Sequence, residues 1–434
     1  PRPRRPPAGP AARSAAPGGA AAADGAGSGT GGALPPVADD AVDAVTAAVE
    51  RLDDSYLAVQ GPPGTGKTYV GARVVARLVA QGWRVGVVAQ SHAVVENLLR
   101  AVVLGAGVPR ELVAKKLATG GPSPRAVYAE LDGAHLAAFA TEPGPRVVGG
   151  TAWDFAAERL PESTLDLLVV DEAGQFSLAS TVAVARAARR LLLLGDPQQL
   201  PQVSQGRHPE PVDRSVLAWL ADGHGVLPPE RGYFLATTWR LHPDLAAAVS
   251  TLSYEDRLRA HPLAAARRLD GVAPGVRQVL VEHTGSAVRS TEEAAEVVRQ
   301  VADVLGRSWT TTVDGVAHER PLGQGDVLVV APYNAQVWAV RGALRDAGYP
   351  DVEVGTVDRF QGKEAPVVIL TLAASSGHEA SRGLEFLLSR NRLNVAVSRA
   401  QWSAVVVRSP GLTDTLPRSA RGLEELGAFL ALTS

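Results

Sequence analysis

Gly61-Pro62-Pro63-Gly64-Thr65-Gly66-Lys67-Thr68 carries the G-x-x-x-x-G-K-[ST] spacing of a phosphate-binding loop. Its glycines let the backbone wrap tightly, so that successive N–H groups point inward at an anion. Lys67 supplies positive charge for the β- and γ-phosphates, and the Thr68 hydroxyl suits Mg²⁺. The flanks agree: Tyr56 to Val59 reads as a short buried strand, and Tyr69 to Ala80 has helical apolar spacing. Strand, loop, helix is the context that makes the motif meaningful, and it predicts an α/β protein that binds a nucleoside triphosphate. Lysine is scarce in this chain (Lys67, Lys115, Lys116 and Lys363), so one at this position is not background.

The length of 434 residues predicts two or three domains, and the 46% hydrophobic and 20% charged content is that of a globular chain. Cysteine is absent, which excludes disulfides, thiolate metal sites and iron–sulfur clusters. No apolar run approaches the roughly 20 residues that span a bilayer, and the first residues lack the apolar stretch of a signal peptide. The expected location is the cytosol, with no membrane partner. The net charge of −2 gives no global basic signal, so any nucleic acid must be held in a local groove. Methionine is also absent and the chain opens on proline, as expected of a piece of a longer protein. The Arg, Ala, Gly and Val bias is that of a GC-rich genome.

Residues 1–33, mostly Pro, Ala, Gly and Ser, predict a disordered tail or linker. Residues 34–236 then read as a first domain. Asp40 to Leu52 is an amphipathic helix, and Trp83 to Ala89 a second strand that ends in Gln90-Ser91-His92. Polar residues at strand ends are where open α/β sheets place ligand contacts, though Ser91 also reads as a helix cap. Residues 105–146 break the strand–helix rhythm and read as a small insertion, with Lys115-Lys116 as a solvated pair. The apolar strand Leu167 to Val170 delivers Asp171 and Glu172, one placed for the Mg²⁺ shell and one to orient or deprotonate water. Leu191 to Leu194 ends in a glutamine-bearing loop, Gly195 to Val203, suited to sensing the γ-phosphate. From Thr237 to 434 the strand–helix style repeats without a second phosphate loop. A cleft between two such domains is the expected ATP site.

These segments, in this order, resemble the Upf-like branch of the superfamily 1 helicases, B subgroup, over roughly residues 35 to 410. The resemblance rests on Gly61 to Thr68, Gln90 to Asn97, Asp171 to Gln175, Gly195 to Gln202, Trp239 to Pro243, Gly355 to Glu364 and Asn391 to Ala400. It implies two tandem RecA-like domains, with ATP and Mg²⁺ between them and single-stranded DNA or RNA running across both. Gly61, Pro62, Pro63, Gly64, Thr65, Gly66, Lys67 and Thr68 would hold phosphate. Thr68 and Asp171 would hold the metal, and Glu172 would act on the attacking water. Gln199 would sense the γ-phosphate, and Arg240 and Arg399 would reach it when the cleft closes. Trp239 stands where the family more often has tyrosine, and either ring stacks on adenine. Gly362 and Glu364 match the ribose side. The upstream adenine-reading glutamine has no counterpart between Pro35 and Leu57, which predicts a looser base preference. For nucleic acid the resemblance points to Ser91, His92, Thr151, Pro332, Tyr333 and Thr356. It also implies 5′ to 3′ movement, and the linker-like tail fits the motor portion of a bacterial protein with a RecB-like nuclease domain upstream. An ATP-switched clamp or remodeller that separates no strands is the alternative.

Overall fold

The computed structural model describes residues 33–37, 40–202, 206, 208, 211–313, 316–360 and 362–434. Of the expected tail, residues 1–33, all but Ala33 lie outside the described residues, as does Gln361. The first half builds one eight-stranded parallel sheet. Its strands are β1 (Tyr56–Gln60), β2 (Arg84–Val88), β3 (Val113–Lys116), β4 (Ala129–Leu131), β5 (Arg146–Gly150), β6 (Leu167–Val170), β7 (Leu191–Gly195) and β8 (Gly232–Phe234). Their spatial order is β4-β3-β5-β2-β6-β7-β1-β8. A parallel sheet is covered on both faces, which demands near-continuous apolar strands. Leu167 to Val170 meets that demand with four buried residues. Successive side chains then alternate between two cores: Leu57, Val59, Leu167 and Val169 face one, and Ala58, Leu168 and Val170 the other.

The stretch read as an insertion supplies β4 and β3, the last two strands at one edge of the sheet. Lys115 is correspondingly not solvated. It is fully buried between Glu96 at 3.1 Å and Glu130 at 3.0 Å. A charge so enclosed persists because opposite charges replace the lost water.

Two short strands, β9 (Thr237–Thr238) and β10 (Arg259–Ala260), pair with each other beyond the first sheet. Next come β11 (Arg268–Leu269), β12 (Gly275–Leu280), β13 (Ser308–Val313), β14 (Val316–Pro321), β15 (Val327–Val330), β16 (Glu353–Gly355), β17 (Ala365–Thr371) and β18 (Ala400–Arg408). Five of them form a second parallel sheet, ordered β12-β18-β17-β15-β16, while β11, β13 and β14 make a small antiparallel one. The second sheet has the same two-faced burial: Val329 and Ile369 belong to one core, Leu328 and Val368 to the other. Leu200 and Val226, which follow strands of the first sheet, pack into that second core. The two lobes are therefore joined by apolar contact. Among the described residues no helix is long and apolar enough to cross a membrane.

Candidate functional site

The phosphate loop leaves β1 at Gln60 and is tethered at once, because Gly61 N–H donates to the Gly195 carbonyl at 2.9 Å. Gly64 (φ +74°) and Gly66 (φ +84°) take left-handed backbone that an L side chain resists. At Gly64 there is a second reason: a Cβ would stand 2.4 Å from the Arg240 Cβ. The helix Lys67–Ala80 begins at Gly66 with no side-chain cap, so its first N–H groups are left for an anion. Thr65 closes the turn through its hydroxyl, donating to the Pro62 carbonyl at 2.8 Å. The Lys67 ammonium reaches back to the Gly61 carbonyl at 2.6 Å, which folds it over the loop.

Asp171 leaves β6 buried, and Glu172 follows it with φ +53°, a strained value for a non-glycine. The Asp171 carboxylate accepts the Glu172 N–H at 2.9 Å. Burial pushes the Asp171 carboxyl up to about 7, the Glu172 charge adds to this, and Lys67 opposes it. The buried Asp171 carboxyl and the Thr68 hydroxyl, in the first turn of the helix after the loop, are hard oxygen groups of the kind that suit Mg²⁺. The turn after Glu172 lies against the sensor loop with no room between them. A Cβ on Gly174 would sit 2.3 Å from the Asp196 carbonyl oxygen, and one on Gly195 would sit 2.6 Å from the Gly174 nitrogen.

Gln199 is buried and donates its amide to Asp196 at 3.0 Å. The same Asp196 carboxylate accepts the Tyr254 hydroxyl at 2.6 Å. From the second lobe, Asn394 donates to the Tyr254 oxygen and to the Gln198 carbonyl, both at 2.8 Å. Asn391 adds a bond to the Pro197 carbonyl at 3.1 Å. The sensor loop is thus bound to the helix Arg390–Val397 that leads to Arg399. Asn391 and Asn394 lie three residues apart on that helix, a spacing that puts both on one face. That spacing was readable in the sequence, whereas nothing there singles out Tyr254.

Arg240 lies over the phosphate loop: Trp239 N–H donates to the Gly64 carbonyl at 2.9 Å, and the Thr238 hydroxyl to the Pro63 carbonyl at 2.9 Å. Its guanidinium pairs with Glu364 and donates to the Ser398 carbonyl at 3.1 Å. Burial pushes the Glu364 carboxyl up, but Arg240, with Gln401 and Arg267, offsets this and holds it below its usual range. Arg399 is almost wholly enclosed and donates to the carbonyls of Val395 at 3.0 Å and Lys363 at 3.3 Å. Burial draws its guanidinium down to about 10, with Arg240 acting in the same direction and Glu172 against it. Arg399 therefore stands within electrostatic reach of both Arg240 and Glu172. The Trp239 ring is half exposed and stacks on His261 at 3.5 Å between centroids. Gly362, with φ +82°, turns the chain just before Glu364.

Ser91, His92 and Thr151 follow the adjacent strands β2 and β5, while Pro332 and Thr356 follow the adjacent strands β15 and β16. Ser91 caps the helix His92–Arg100, and Thr151 forms a capping box with Asp154. Tyr333 is buried with its ring 5.9 Å from Phe386, a packing position rather than an open stacking face. Phe360 is core, and Arg390 lies beside Glu424 and Glu425.

Two family models, each described as an AAA domain, match residues 39–214 and 212–410 and so meet end to end across the site. The rat DNA-binding protein SMUBP-2 is 28% identical over 412 residues, covering 80% of this chain and 40% of that protein. The bovine DNA replication ATP-dependent helicase/nuclease DNA2 is 23% identical over 395 residues, 82% of this chain and 36% of that one. By these matches the chain is similar to the superfamily 1 helicases along both segments. The mouse 5′-3′ DNA helicase ZGRF1 matches at 28% over 278 residues, 61% of this chain but 14% of its own length. The chain spans 40% or less of each of these three relatives. A phosphate loop within the first of two AAA-domain matches implies nucleotide use.

Proposed function

We propose that the chain is an ATP-hydrolysing motor that moves along single-stranded nucleic acid and separates strands. The observation that carries this reading is the seam itself. Arg240 lies with its backbone on the phosphate loop and its guanidinium on Glu364, while Asn391 and Asn394 hold the sensor loop. A chain that only bound nucleotide would need none of these ties between lobes. Lys67 and the loop N–H groups bind the phosphates, Glu172 orients and deprotonates the attacking water, and Arg240 and Arg399 meet the charge that develops on the γ-phosphate. Held by Thr68 and Asp171, Mg²⁺ would neutralise phosphate charge. Trp239 offers one ring face to the base. Loss of the γ-phosphate reaches Gln199, then Asp196 and Tyr254, then Asn394 in the second lobe, and so changes the lobes' relative grip on the strand.

The names of the three relatives favour DNA as the track, and that of ZGRF1 favours 5′ to 3′ as the direction. The helicase/nuclease among them supports a motor joined to a nuclease in the full-length protein. Steady-state ATP hydrolysis with no nucleic acid, with single-stranded DNA and with single-stranded RNA, at one fixed salt, tests the reading. Strong stimulation by DNA supports it. Turnover indifferent to both polymers would sink it, and stimulation without unwinding of a tailed duplex would leave a clamp.

A further inference from the structure

The second lobe carries a cavity of about 390 Å³ away from the nucleotide seam. It lies between the helix Asn334–Asp346, the segment entering β16, and the turn that follows β16, the edge strand of the second sheet. Its size falls within the roughly 300–1,000 Å³ typical of small-molecule sites. Its chemistry is specific. Trp338 is 69% exposed, a large apolar surface left in water. The Arg341 guanidinium sits 5.9 Å from that ring and donates to the Val354 carbonyl at 2.6 Å, fixing one wall. Arg345 and Arg359 project from two further walls, and among the described residues neither guanidinium has an ion pair or hydrogen bond. Of the two acids in the lining, Glu353 is paired with Lys363. Asp351 is the other, so positive charge is in excess.

An open indole face beside unpaired, planar guanidinium groups matches a nucleobase with its phosphate, since aromatic rings stack on any base and arginine forks fit phosphate. The position matters as much. Arg359 is three residues beyond Thr356, and Thr356 stands at the end of β16, on the same side of the parallel sheet as Pro332 at the end of β15. We propose that this pocket seats a nucleotide unit of the single strand as the strand passes the β16 edge, with the base on Trp338 and phosphates on Arg345 and Arg359. The assignment rests on the nucleic-acid reading above and lengthens the track by one grip at its outer end. A free mononucleotide has the same chemistry and is the other source the test must separate.

The test uses the whole chain and labelled oligothymidylates of roughly 6 and roughly 20 nucleotides, spanning the range of known single-strand sites. Trp338→Ala should weaken binding of the longer strand about ten-fold and leave its salt dependence unchanged. Arg345→Ala with Arg359→Ala should weaken it about ten-fold or more. The slope of log affinity against log salt should also fall by about 1.4, at about 0.7 for each phosphate no longer neutralised. Neither change should affect the short strand. Should the alanine pair melt early, Arg345→Lys with Arg359→Lys keeps the charge and should restore the slope. Wild-type affinity of all variants for the longer strand would overturn the pocket while leaving the motor intact. A wild-type chain that binds neither strand would overturn the motor reading, and the pocket with it. Saturable quenching by AMP that disappears in Trp338→Phe, with long-strand affinity intact, would assign the pocket to a free nucleotide and overturn the strand assignment.

Discussion

At the end of β6 the first lobe holds Asp171, whose carboxylate accepts one backbone N–H, and Glu172 on left-handed backbone beside it. At the end of β17 the second lobe holds Glu293, just as deeply buried but saturated. One Glu293 oxygen accepts the Thr371 hydroxyl and the N–H groups of Leu372 and Ala373 at 3.0 and 2.9 Å, and the other faces His283 at 3.0 Å. Gln336 extends this web to Thr371 at 2.9 Å and to Ser290 at 2.8 Å. The physical lesson lies in the difference. A buried polar group whose partners are all protein is scaffold, because removing any partner leaves an uncompensated charge. A buried carboxyl with one partner and an elevated proton affinity is kept for something the protein must bind.

The comparison breaks if mutations fail to sort by lobe. Glu172→Gln should lower turnover about 10²–10⁴-fold, the range for a general base, with nucleotide binding and the melting temperature kept. Unchanged turnover would remove Glu172 from the mechanism and erase the contrast. Glu293→Ala should do the reverse, destabilising the fold by about 3–5 kcal/mol through a stranded buried network, which denaturant titration would read. A loss under about 1 kcal/mol would show that the web is not scaffold.

Two smaller effects sharpen the picture. The bond from Glu293 raises the His283 pKa above its ordinary value, against the opposing effect of burial. A raised folded-state value means stability that is complete below the ordinary pKa of about 6.5 and is lost as pH rises through the folded one. Thermal midpoints of wild type and His283→Gln should therefore converge as pH climbs from 6.5 upward, and a constant gap would argue against a protonated His283. Glu172→Gly should relieve left-handed strain and raise stability by about 1 kcal/mol while turnover is lost. A drop in stability would mean that the Glu172 side chain supports the fold.

The sequence made the first lobe's site legible because its chemistry is local. Eight consecutive residues carry the spacing of a phosphate-binding loop, and one apolar strand delivers Asp171 and Glu172. The parallel-sheet fold was legible for a related reason, since runs such as Val327 to Val330 suit only a strand covered on both faces. What stayed hidden is long-range. Glu293 reads as one acid among several on an amphipathic helix, His283 has no local signal, and Lys115 reads as solvated until Glu96 and Glu130 close on it. Capping by Ser91 was visible and that by Thr151 was not, and the enclosure of Tyr333 depends on Phe386, far along the chain.

The backbone contact between Gly174 and Gly195 has a consequence for timing. With no side chain between them, the carboxylate turn and the sensor loop cannot slide separately, so they share a single displacement coordinate. The cycle would then have one switch at its centre where two independent loops would have given it two.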